Sequence, residues 1–411
     1  MKSVCAFSLP TVLVISILMC LLCLFAVSLF DFNNLYYSYY QQSNRLRDNL
    51  HSIFVLYAND STWIDEVEEK GIFRLYEDDV RTDFKVAADD WGLYECVRVR
   101  ALSDSCSAVR LFGKVSDCDY EAALWVCNGS RSLSLGGTAE VKGNVYVPLG
   151  MVDYLATDDW TFQGERIKGS YINPAMERLP EVASTPLELK KRYAGEVEEL
   201  PSVEQLEERA CYSFWEEEAH FYVPDDYTVF SLRGKVVLHG DRVTLGAEST
   251  LEDVIVMARS VYVEEGFKGS LQIIATDSVL VGREAHLRYP SGVYLEAEEE
   301  EPYLQLGRHS TLDGYAIVRG KRKGMAASAP NVNFRMEGDA VFNGLLYVDG
   351  MADLQGSCYG GVYVKECCYT ANGEVYNSVL CDARIYRNVQ MGFPIFFRQS
   401  GYMRREMKML Y

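Results

Sequence analysis

Four segments of this chain share one form: "VTLGAESTLEDVIV" from Val243, "VYVEEGFKGSLQII" from Val261, "VLVGREAHLRYPSGVYL" from Val279 and "LQLGRHSTLDGYAIV" from Leu304. Their starts lie 18, 18 and 25 residues apart. Each has an apolar–x–apolar triplet, a Gly or acidic corner, a second short apolar pair and another Gly or polar corner. The triplets Phe334-Arg335-Met336 and Ala352-Asp353-Leu354 repeat the spacing of 18, with Gly338 and Gly356 at matching places. "LSLGGTAEVKGNVYVPLG" from Leu133 has the same form much earlier. A period this short cannot hold a propeller blade or a helical repeat, and it suits one coil of a β-solenoid. Short strands turn alternate side chains inward, and glycines supply the positive φ needed at corners. One coil cannot bury its inward residues alone, so coils stack into a continuous apolar column. A β-sandwich with hairpins at similar spacing is the competing architecture. The solenoid is favoured because Asn-Gly hairpin signals are few, at Asn128, Asn343 and Asn372.

These repeats resemble the short β-helical repeats of bactofilin-like, polymer-forming scaffold proteins, over roughly residues 230–390 and the stretch from Leu133. The resemblance implies coil architecture and end-to-end association. That family has no counterpart to residues 60–129, so its cellular role does not carry over.

A second constraint lies at the start of the chain. Residues 11–30 are twenty consecutive uncharged residues, which as a helix span roughly 30 Å, the hydrocarbon thickness of a bilayer. A cleaved signal has a shorter apolar core and a more basic leader, whereas only Lys2 precedes this run. A retained anchor is therefore favoured, with Ala26-Val27-Ser28 the cleavage site of the alternative. "AFSLPTVLVISIL" also resembles the leader junction of type IV pilins and minor pseudopilins, which implies cleavage between Ala6 and Phe7. Thr11 stands where major pilins carry a glutamate. Beyond the run, no Gly or Pro interrupts residues 31–57, and Leu35, Tyr39, Leu46, Leu50, Phe54 and Tyr57 recur at helical spacing. Tyr36, Tyr37, Tyr39 and Tyr40 fall where amphipathic rings favour the headgroup zone.

The order of segments follows. Residues 1–30 are an anchor or leader, 31–58 an extended amphipathic helix, and 59–129 a small β-rich domain of alternating strands such as "FKVAADDWGLYECVRVRAL". Residues 130–154 form a first coil. Residues 155–218 break the β rhythm with a charged, helix-permissive stretch for which Ser184 or Thr185 before Pro186 is a start signal. Residues 219–411 are the solenoid. The fold class expected is mainly β: a transmembrane helix, a small β domain and a β-solenoid with a partly helical insertion.

Several function classes are disfavoured. The net charge is −19, and such a surface repels phosphate backbones, which argues against nucleic acid. The acidic runs at Glu216 to Glu218 and at Glu296 and Glu298 to Glu301 lack the Gly-turn spacing of a calcium loop. No G-x-S-x-G elbow, P-loop, H-E-x-x-H or G-x-G-x-x-G unit occurs. His286 and His309 lie at roughly similar places on two coils, but the six-residue rhythm of hexapeptide-repeat acyltransferases is absent. Asp241, Asp253, Asp313 and Asp349 sit at or near turns, where Asp is expected for capping backbone. Of twelve cysteines, Cys96, Cys106, Cys118 and Cys127 crowd the small domain and Cys358, Cys367, Cys368 and Cys381 the last coils. Neither foursome has paired C-x-x-C spacing, so disulfides within each cluster are the alternative to buried thiols, and zinc is not expected.

The expectation is a single-pass membrane protein with its bulk outside the cytoplasm. It serves as a non-catalytic scaffold without cofactor or metal, in its more specific form a minor subunit of a pilin-like assembly. Partners are the membrane, through residues 11–30, and other proteins or a second copy, through solenoid ends. The competing reading is a β-helix that binds or cleaves carbohydrate.

Overall fold

The computed structural model describes residues 8–59, 72–76, 82–103, 106–116, 122–127, 129–157, 160–181, 200–206, 210–229, 231–297, 301–320, 332–387, 397 and 402–410. The chain is mainly β and opens with one long apolar helix, Ser8–Asn59. Its contacts divide it into two compact units: Met1–Val86 with Val99–Ala108, and Ala87–Arg98 with Val109–Tyr411.

In the first unit the helix changes character along its length. Val12 is 60% exposed and Phe25 62%, and the apolar side chains between them are similarly exposed. This run is long and apolar enough to cross a bilayer. The buried stripe begins at Leu46 and continues through Leu50, Ile53, Phe54 and Tyr57, with the i, i+4, i+7 spacing of one helical face. Leu35 and Tyr39, expected to extend that stripe, are exposed, so the packed face is the last third of the helix. Ile72–Arg74 pairs antiparallel with residues 83–85, closed by a forked ion pair from Arg74 to Asp83 at 2.6 and 2.9 Å.

In the second unit, strands pair in parallel and in three columns, the first holding residues 231–233, 250–252, 268–269, 286–287, 311–313, 341–343, 357–359 and 384–386. The repeats read in the sequence are the register of the third. Val243 pairs with Val261, Val261 with Val279, Val279 with Leu304, Leu304 with Phe334, and Phe334 with Ala352. The outer residues of each triplet point inward: Val243, Leu245, Val261, Val263, Val279, Val281, Leu304, Leu306, Phe334, Met336, Ala352 and Leu354 are all buried. A second column holds residues 236–239, 255–258, 272–275, 292–295, 315–318, 345–348 and 362–364. It is apolar on both sides, because Val237, Ile255, Ile274, Tyr294, Ile317 and Tyr347 form a separate outward cluster with Trp91, Leu93, Tyr94, Leu111 and Leu410. This explains runs such as Val254-Ile255-Val256 that do not alternate.

Stack order departs from chain order. Residues 124–126 pair with 362–364, Glu140–Lys142 with Arg384–Tyr386, and residues 134–136 with Val379–Cys381. The early repeat from Leu133 therefore pairs with strands more than 200 residues away in sequence, and the strand pairing closes on itself. The last strand, Tyr402–Leu410, instead runs antiparallel to residues 109–116.

The stretch 155–218 contains no α-helix among its described residues. It holds 3-10 turns at Gly169–Tyr171 and Val203–Gln205 and strands Ile172–Pro174 and Ala210–Tyr212; the start signal at Ser184 and Thr185 lies outside the described residues. Phe162, Ile167 and Ile172 from its first part pack on the apolar column, as do Val203, Leu206 and Tyr212 from its last part. Ile172–Pro174 adds to residues 145–147 and Ala210–Tyr212 to residues 232–234. Most of the charged, helix-permissive run, residues 182–199 and 207–209, lies outside the described residues.

Candidate functional site

The outward side of the third column carries a cavity of about 330 Å³. Arg335 lines it, and the register places Arg335 between Gln305 and Asp353, the middle residues of the neighbouring triplets. Its walls are Glu301, Pro302 and Tyr303 on one side, and Thr370 and Val375 on the other. The second wall is an antiparallel excursion in which Thr370 pairs with Val375.

Polar side chains surround the lining residues Arg335 and Tyr303. The Asp353 carboxylate is fully buried and receives Arg335 Nε at 3.3 Å and Gln355 Nε2 at 3.0 and 3.2 Å. Gln355 Nε2 also donates to the Thr370 carbonyl at 3.3 Å. The Tyr303 hydroxyl donates to Gln305 Oε1 at 2.8 Å, and Gln305 Nε2 donates to Glu337 at 3.0 Å. Burial raises the Tyr303 hydroxyl pKa, so it stays protonated at neutral pH, while nearby Arg335 pulls the other way. Among the described residues, the buried Thr370 Oγ1 has no hydrogen-bond partner. Arg335 remains 32% exposed toward the opening, so its guanidinium is held by Asp353 on one side and open on the other.

The residues singled out from sequence are not gathered here. His286 bonds Thr311 at 3.2 Å, whereas His309 occupies a corner at φ +58°; the register aligns His286 with Thr311, so the two histidines do not share a position. His220 and His239 meet at 2.9 Å with stacked rings, and Glu218 lies 3.8 Å from His220. Burial, and then His220, hold the His239 pKa down at about 4. Asp241 pairs with Arg259 at 2.8 Å, Asp253 with Lys408 at 2.7 Å, Asp313 with Asn343 at 2.5 Å and Asp349 with Lys365 at 3.7 Å. In the strand Tyr402–Leu410, Arg404 binds Glu95 at 2.9 Å and Lys408 binds Asp253, so both charges are engaged within the chain. Among the described residues, no three His, Cys, Asp or Glu side chains are grouped to hold a metal.

Cys96, Cys127, Cys358, Cys367, Cys368 and Cys381 are buried free thiols, and Cys106 is half-buried. Burial pushes Cys358 up to about 12, and Cys96, Cys127, Cys368 and Cys381 similarly. Cys118 and the Ala6–Phe7 junction lie outside the described residues. The sequence carried one signal for the cavity: in two triplets 18 residues apart, the outward middle residues are Arg335 and Asp353, of opposite charge. No family model matches this chain, and no curated protein or solved structure matches it.

Proposed function

We propose that the chain is a membrane-anchored scaffold: a helix spanning the bilayer through residues 11–30, carrying a β-solenoid outside the cytoplasm. The observation that carries this reading is the helix itself. Its first part exposes an uncharged apolar surface on every side, and its last third buries a single stripe. This is the division expected of a segment that leaves a bilayer and enters a folded body. Tyr36, Tyr37, Tyr39 and Tyr40 are all exposed just beyond the uncharged run, at headgroup level. The three columns in constant register support the solenoid reading, since stacked coils present long side surfaces suited to protein contact. Other proteins or a second copy, met through the solenoid ends, are the partners of this reading. The same helix, followed by an antiparallel strand pair, favours the more specific form of the proposal, a minor subunit of a pilin-like assembly cleaved before Phe7.

Fractionation with N-terminal sequencing tests the anchor. Membrane-bound protein beginning at Phe7 supports the pilin-like form and beginning at Met1 the plain anchor. Soluble protein beginning near Leu29 overturns both. Topology is read from the exposed Cys211. A membrane-impermeant maleimide labels it in sealed cells if the body lies outside, whereas labelling that requires permeabilisation refutes the extracytoplasmic placement.

A further inference from the structure

We propose that the cavity on the third column binds a neutral hexopyranose unit of a glycan, with Arg335, Tyr303, Thr370 and Glu301 as its polar contacts. This inference stands independently of the membrane anchor.

The argument starts from charge. Glu301 lines the cavity and Glu337 bonds Gln305, the partner of Tyr303, within a chain of net charge −19. An anionic ligand would meet those carboxylates, and among the described residues the positive group lining the cavity, Arg335, is already partly neutralised by Asp353. A cationic ligand would meet that guanidinium at the opening. A neutral ligand rich in hydroxyl groups satisfies both signs at once, because each hydroxyl donates to a carboxylate and accepts from a guanidinium.

Polar complementarity follows the same line. Thr370 Oγ1 is buried with no hydrogen-bond partner among the described residues. An unsatisfied buried hydroxyl is unfavourable by roughly 1–3 kcal/mol, and a ligand hydroxyl reaching it would remove that penalty. The Arg335 guanidinium is fixed in place before any ligand arrives, because the buried Asp353 holds its Nε and Gln355 in turn holds Asp353. Such preorganisation reduces the ordering cost of binding. The remaining lining is apolar: Pro302, Val332 and Val375. A pyranose presents both surfaces, a ring of hydroxyls at its edge and a C–H face that packs on aliphatic side chains. The volume of about 330 Å³ lies at the low end for ligand pockets, suited to one sugar residue and open enough for a chain to continue from it.

The test uses the full chain in a sugar-free detergent such as lauryldimethylamine oxide. Maltose, cellobiose, lactose, chitobiose and digalacturonate are titrated by calorimetry and saturation-transfer NMR. At least one neutral disaccharide is expected to bind, and Val375→Trp, which fills the cavity without touching the Arg335–Asp353 pair, is expected to weaken it by about tenfold or more. Thr370→Val weakens it by a smaller factor, and both variants keep the wild-type melting temperature. Arg335→Met also abolishes binding, but it leaves Asp353 unpaired, so the first two variants decide the question. The inference is overturned if no neutral sugar binds at about 20 mM, if digalacturonate alone binds, or if Val375→Trp binds as tightly as the wild type.

Discussion

Gly344→Ala is the substitution that most directly tests whether the coils are stacked in the register described. Gly344 lies at the corner between the first and second columns with φ +142°, and its neighbours in the stack, Gly314 and Gly360, share that conformation at +144° and +141°. A Cβ on Gly344 would overlap the carbonyl oxygen of Gly314 and lie 2.7 Å from its carbonyl carbon. Carbon–carbon contacts are comfortable only from about 3.5 Å. The obstacle is backbone of the next coil, which cannot swing aside like a side-chain tip. The strained dihedral contributes roughly 1–3 kcal/mol and the overlap a further 1–3 kcal/mol or so, and the destabilisation expected is therefore roughly 2–6 kcal/mol. For a body of this size that lowers the melting temperature by roughly 10 °C. Gly338→Ala is the control: an added Cβ there meets nothing within 4 Å, and the expected change is below about 0.5 kcal/mol. Both are read as circular-dichroism melts of the full chain at one scan rate. If Gly344→Ala melts within about 2 °C of Gly338→Ala, the two coils do not approach through this corner and the stacking is wrong.

Three further outcomes follow from the interior. Asp353→Ala leaves Arg335 and Gln355 facing a vacated buried position and is expected to destabilise by about 3 kcal/mol; the double variant Asp353→Leu with Arg335→Leu should recover most of that loss in the same melt, and no recovery would refute an ion-pair origin. His239 is neutral in the folded state because its pKa is held at about 4. Between the ordinary histidine value of about 6.5 and 4, the unfolded chain takes up a proton that the folded chain does not. Stability is therefore complete above that window and falls as pH drops through it, by roughly 3 kcal/mol at the bottom. Melts from pH 7.5 to 4 should show His239→Gln losing part of this slope, and identical slopes would exclude His239 as a source. With the Cys358 thiol raised to about 12 and buried, native protein at pH 8 should take iodoacetamide at the exposed Cys211 and leave Cys358 unmodified. Equal labelling by mass spectrometry would refute that burial.

Much of the second unit was legible in the residues. The triplets at Val243, Val261, Val279 and Leu304 pair in the register their spacing implied, because alternate burial in a short strand leaves no freedom to slip by one residue. Corners were legible only in part. The left-handed position is Gly266 on one coil and Glu284, His309 and Asp339 on the following ones, so glycine alone does not mark it. The membrane-length helix was legible from composition, whereas the position at which its buried stripe begins was not, since Leu35 and Leu46 satisfy the same periodicity.

The sequence by itself determined the local terms: strand period, inward apolar triplets, an uncharged helix of bilayer length and an acidic surface. Each of these is set by side chains within one or two turns of chain. The tertiary structure decided what depends on partners distant in sequence. It placed residues 134–136 against Val379–Cys381, added Ile172–Pro174 to residues 145–147 and Ala210–Tyr212 to residues 232–234, and sent the strand Tyr402–Leu410 back to residues 109–116. It also set Arg335 against the buried Asp353 at the lining of a cavity. Unpaired strand edges and open apolar ends are unfavourable wherever they occur, and they are closed by whichever segment the whole fold brings within reach.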